Sequence, residues 1–65
     1  MITLAELVKE AFENAAENGY TFEGMTDAEI VTDMMTCDAL LELQSEDDVL
    51  EQVRLYRMNN GIPSA

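Results

Sequence analysis

Four glutamates, Glu6, Glu10, Glu13 and Glu17, recur at intervals of 4, 3 and 4 residues. At 3.6 residues per turn this spacing puts them within an arc of about 60° on one helix face. The row would be about 16 Å long, with a carboxylate about every 5 Å. A single DNA strand carries one charge about every 3.4 Å of helix axis. Such a row performs no covalent chemistry. It presents a regular polyanion that attracts a basic groove and displaces counterions, as duplex DNA would. Crowding like charges costs a helix roughly 0.2–0.5 kcal/mol per pair, and only Lys9 flanks the row. Asp33, in a short row with Glu29, and the group Asp47, Asp48 and Glu51 extend the candidate binding surface. The competing reading is a solvated face that only confers solubility, and the scarcity of lysine keeps the two readings level.

Other chemistries are harder to build. The sequence has no histidine, so a His-based triad or a His/Cys zinc cluster is excluded. One cysteine cannot close an internal disulfide. Cys37 stands beside Asp38, with no basic neighbour to activate the thiol, and is expected to be a small buried hydrophobe. The acids from Glu46 to Glu51 lack the alternate spacing and central glycine of a calcium loop. Helical glutamate pairs that hold two metals need accompanying histidines. Paired carboxylates for acid/base work need a cleft that separates their pKa values, and so small a chain offers little room for one. We therefore expect no catalytic residues, no metal, no cofactor and no enzymatic activity.

Charge excludes further partners. With 14 acidic and 3 basic side chains the formal charge is −11. Direct binding to nucleic acid needs a basic surface, and anionic membranes repel the chain equally. No apolar run approaches a membrane span. Met1 to Glu6 lacks the basic segment and apolar core of a secretory signal. A cytoplasmic monomer is expected.

The elements that must carry these residues are legible. At 65 residues the chain makes one domain, residues 1–65. Its hydrophobic fraction of 48% separates it from disordered acidic tails. Thr3 with Glu6 and Thr26 with Glu29 fit capping boxes, and Ile2/Leu7 and Met25/Ile30 fit hydrophobic staples. Ser45 with Asp48 is a looser third start. Asn18-Gly19 and Asn59-Asn60-Gly61 fit helix stops, with Ile62 folding back and Pro63 blocking continuation. The spacing predicts helices over 4–18 and 46–59. A helix through Ile30, Val31, Met34 and Met35, if continued, would put Asp38 amid its apolar face, where an unpaired carboxylate is costly. A break near Thr36 to Asp38 is expected, with Asp38 capping a short segment over 39–43. Alternatively, Leu41 to Leu43 pairs with Tyr20 to Phe22 as a two-stranded ribbon, since both stretches alternate as strands do. The predicted fold is all-α: a small three-helix bundle with an extra helical segment after the second helix.

The predicted core takes Leu4, Leu7, Val8, Ala11, Phe12 and Ala15 from the first helix. Ile30, Val31, Met34, Met35 and Leu41 follow, with Val49, Leu50, Val53 and Tyr56 from the last. Leu55 and Met58 fall on the polar face, to be covered by the C-terminal tail, left exposed, or used in a partner contact.

A tiny, lysine-poor, strongly acidic helical chain with the row Glu6-Glu10-Glu13-Glu17 resembles the phage-encoded anti-CRISPR proteins that act as DNA mimics. The resemblance covers the whole chain through size and charge, with no shared motif, and transfers no site residues. It implies an inhibitor, in the bacterial host cytoplasm, of a CRISPR effector complex, type I being one candidate. Such an inhibitor would occupy the basic surface that reads DNA. The rival class is an interaction module (an antitoxin, an adaptor or a structural phage protein) that binds through Leu55, Met58 and Tyr20.

Overall fold

A computed structural model describes residues 2–61. These form α1 (Leu4–Glu17), α2 (Asp27–Cys37), α3 (Ala39–Glu42) and α4 (Glu46–Asn60). Helix α4 packs against both α1 and α2, and the short α3 bridges the same two helices. No strand occurs among the described residues. The fold is the expected all-α bundle with its extra segment. The fold-back expected of Ile62 and the stop at Pro63 lie outside the described residues.

Local chemistry sets the boundaries. The Thr3 hydroxyl accepts from the Glu6 amide at 3.2 Å. The reciprocal half of that box does not form, so the Glu6 carboxylate stays on the outer face of α1. The box at α2 is complete: the Thr26 hydroxyl accepts from the Glu29 amide at 3.2 Å, and Glu29 Oε1 accepts from the Thr26 amide at 3.0 Å. Ser45 makes no side-chain cap at α4. There Glu46, Asp47 and Asp48 crowd the first turn, where the helix dipole favours anions. Helix α1 ends in a Schellman motif. Gly19, at φ 79°, donates to the Ala16 carbonyl, and the Tyr20 amide donates to the Ala15 carbonyl.

The α2 cap is a pH-dependent part of the fold. The Thr26 amide, and after it the Thr26 hydroxyl group, hold the Glu29 carboxyl below the ordinary glutamate pKa. A carboxylate with a depressed folded pKa contributes stability above its unfolded pKa and loses it as pH falls through the folded one. The difference in Tm between wild type and Glu29→Ala is therefore expected to be full at neutral pH. It should shrink as pH falls below about 4. A difference that stays constant into acid would show that the box carries no charge-dependent stability.

Helix α2 stops where the buried-carboxylate argument requires. Asp38 leaves helical geometry, at φ −120° and ψ 111°, and its Oδ1 accepts from the Leu40 amide at 2.9 Å to start α3. Leu41 is then fully buried. The ribbon does not form, because Leu41 and Glu42 are helical and residues 20–22 belong to the α1–α2 loop.

The core consists of Leu7, Val8, Phe12, Phe22, Ile30, Val31, Met34, Leu41, Val49 and Val53. Leu4, Ala11, Ala15, Met25, Met35, Leu50 and Tyr56 pack at its edge. Phe22 was not among the expected core residues. Its backbone is left-handed, at φ 58°, a conformation that costs a side-chain-bearing residue roughly 1–2 kcal/mol. Burying a phenylalanine returns roughly 1.5–3 kcal/mol, so burial wins. Its ring meets Phe12 edge-on at 5.3 Å, and Phe12 stacks on Tyr56 at 4.3 Å.

Arg57 is also interior, at 3% exposure. It donates through one terminal nitrogen to Asp27 Oδ1 at 2.7 Å and to the Met25 carbonyl at 3.1 Å. This pair clamps the C-terminal half of α4 to the start of α2. Cys37 corrects an expectation: it is exposed, not buried. It is the last residue of α2, and its sulfur lies 3.9 Å from Asp33 Oδ1.

Candidate functional site

The apolar face of α1 is held by Leu7, Val8 and Phe12 against the core. The row Glu6, Glu10, Glu13 and Glu17 is thereby turned to the opposite side, and all four residues are exposed. None of the four makes an ion pair among the described residues. The row's length of about 16 Å compares with a longest molecular extent of 27 Å. The row is therefore more than half as long as the molecule.

The remaining acids are not equivalent to these. Asp27 neutralises Arg57. Glu29 closes the α2 cap, and Asp38 caps α3. Glu51 pairs with Arg54 at 3.3 Å, both largely exposed. A pair of that kind contributes little stability, but it places a cation inside the expected α4 cluster. Asp47 and Asp48 remain exposed. Asp47 and Glu51 border a shallow recess with Thr26, Asp27 and Arg54, at the junction of α2 and α4. Asp33 is half-buried and lines a different cleft, between α1 and α2. The expected short row of Glu29 and Asp33 is thus split by the separate work of its members. Thr32 and Thr36 on the same helix bond back to the carbonyls of Ala28 and Thr32.

Glu13 shares a further recess with Glu23, Phe12 and Tyr56. Glu23 stands in the α1–α2 loop, where helical spacing gave no sign of it. Tyr20 reaches both this recess and the α1–α2 cleft. Its hydroxyl donates to the Met25 sulfur at 3.1 Å. Partial desolvation, followed by the neighbouring Asp33 carboxylate, raises the Tyr20 pKa above the ordinary phenol value.

Among the described residues no three of the Cys, Asp and Glu side chains converge in a way that could hold a metal ion. No helix among the described residues is long and apolar enough to cross a membrane. Met58 is exposed and Leu55 half-buried on α4. Leu40 and Leu43 add exposed apolar area at α3. Comparison with models of known families, with characterised proteins and with solved structures gives no match.

Proposed function

We propose that the protein is a non-enzymatic inhibitor that imitates the charge of nucleic acid. In this reading the outer face of α1 docks on the DNA-binding surface of a basic host protein, a type I CRISPR effector complex being the leading candidate. The observation that carries the reading is the isolation of the row. Its four carboxylates have no structural task and make no ion pair among the described residues; Lys9 alone flanks them, whereas Arg54 and Arg57 are engaged elsewhere. Asp47 and Asp48 act as supporting contacts on α4. Asp33 contributes from its cleft and Glu51 only weakly, because Arg54 offsets it.

The test is target-DNA binding by purified type I effector complexes, followed by gel shift with and without the protein. Wild type is expected to suppress the shift. The double variant Glu10→Lys/Glu13→Lys should lose that suppression while keeping its helical circular dichroism. A double variant that inhibits as wild type does would overturn the reading.

A second reading rests on the exposed Leu40, Leu43 and Met58. It makes the chain an interaction module that binds a partner through apolar contacts, with the acids serving solubility. Sensitivity of binding to salt separates the two.

A further inference from the structure

The cleft between α1 and α2 lies outside the glutamate row and has a volume of about 290 Å³. That is at or below the lower end of the roughly 300–1,000 Å³ usual for small-molecule sites. It suits one long side chain better than a nucleotide or a cofactor. Ala15, Phe22 and Met34 give it an apolar floor. Tyr20, Asp33 and Asp38 stand around it.

We propose that this cleft receives one arginine side chain of the basic partner, with its stem on the apolar floor and its guanidinium between the carboxylates and the Tyr20 ring. The inference rests on the reading of the chain as a binder of a basic protein, and adds a specific socket to a surface that otherwise acts through net charge.

Three features of the cleft fit an arginine. The first is charge. Asp33 and Asp38 both line the cleft, and among the described residues no cation does. Arg57 is tied to Asp27 and Arg54 to Glu51. Lys9 lies on the other flank of α1 from Asn14 and Asn18, by helical spacing. The second is preorganisation. Asp38 is already fixed by the Leu40 amide on one oxygen. Asn18 donates its amide nitrogen to the Asn14 carbonyl at 2.8 Å, which leaves its side-chain oxygen as an acceptor. The third is amphipathicity. Arginine lays its methylene stem along apolar surface while its head stays polar. Its planar fork pairs with carboxylates and stacks on an aromatic ring, which the point charge of lysine does less well.

The test titrates the full-length, nitrogen-15-labelled chain with blocked Gly-Arg-Gly, Gly-Lys-Gly and Gly-citrulline-Gly. Citrulline keeps the shape of arginine without the charge. The arginine peptide is expected to bind saturably in the millimolar range, with amide shifts concentrated at Asn14, Asn18, Tyr20 and Cys37. The lysine peptide should bind more weakly and the citrulline peptide not at all. Asp33→Asn should weaken the arginine peptide about tenfold, and Asp38→Asn should also weaken it while keeping the α3 cap. Glu46→Gln, on α4 and outside both the cleft and the row, should leave the titration unchanged; because the titration needs no effector complex, a failure of the row in the gel shift and a failure of the socket are read separately. Shifts spread along the α1 row, equal binding of the citrulline peptide, or an indifferent but folded Asp33→Asn variant would each overturn the proposal.

Discussion

Asp27→Ala is expected to destabilise the protein by about 3–5 kcal/mol, a large share of what so small a domain possesses. At about 0.05–0.15 kcal/mol per residue, the whole fold is worth roughly 3–10 kcal/mol. The variant removes the carboxylate that meets Arg57 at 2.7 Å, and the Arg57 side chain is 3% exposed. A buried guanidinium that loses this carboxylate must either stay in place without its 2.7 Å contact or drag the end of α4 into water. Asp27 is itself 30% exposed, so water can reach the pair and the loss should fall towards the lower end. Arg57→Met is expected to be much milder. It keeps the apolar stem, removes the buried charge and lets Asp27 hydrate. Thermal and urea unfolding followed by circular dichroism would check both. A cost below about 1 kcal/mol for Asp27→Ala would mean that the pair behaves as a surface ion pair.

The second large effect concerns salt. If the four row glutamates stand in for four phosphates, affinity for the basic partner should fall about a hundredfold between 50 and 200 mM salt, by the slope of about 0.9 per contact known for DNA. The quadruple variant Glu6→Gln/Glu10→Gln/Glu13→Gln/Glu17→Gln should bind weakly at every salt concentration and lose most of the slope. Its fold should respond in the opposite sense. Removing three like-charge neighbour pairs relieves roughly 0.2–0.5 kcal/mol each, so its Tm should rise. Weaker binding together with a higher Tm marks residues held for contact, not for folding. Titration calorimetry at several salt concentrations would measure the slope, and a wild-type affinity indifferent to salt would favour the apolar interaction module.

Much of this architecture is legible in the residues themselves. The Thr26/Glu29 box, the glycine after α1 and the break at Asp38 follow from local hydrogen bonding and from the cost of burying a carboxylate. The row on α1 follows from helical periodicity. What local reasoning misses depends on contacts distant in sequence. Phe22 lies in an alternating stretch that looks like a strand, yet a left-handed backbone and the rings of Phe12 and Tyr20 draw it inward. Arg57 follows Val49 and Val53 at four-residue spacing and so sits on the apolar face of α4. That spacing was the available signal, but only the fold supplies Asp27 as its partner. Cys37 shares the apolar side of α2 by periodicity, yet at the end of the helix it lies beside the cleft and not under α4. The fates of Asp33 and Glu51 were likewise hidden, because each depends on a neighbour, the cleft for one and Arg54 for the other.

The incomplete cap at Thr3 has an evolutionary side. Because Glu6 is not bound to the helix start, and Glu10, Glu13 and Glu17 are equally unengaged, no member of the row is required by the scaffold. Exchanges among acidic and neutral residues there leave the bundle standing. Under the proposed function, substitutions in the row can refit the outer charge pattern to a different basic surface, while the contacts of α2 and α4 and the Asp27–Arg57 clamp must be kept.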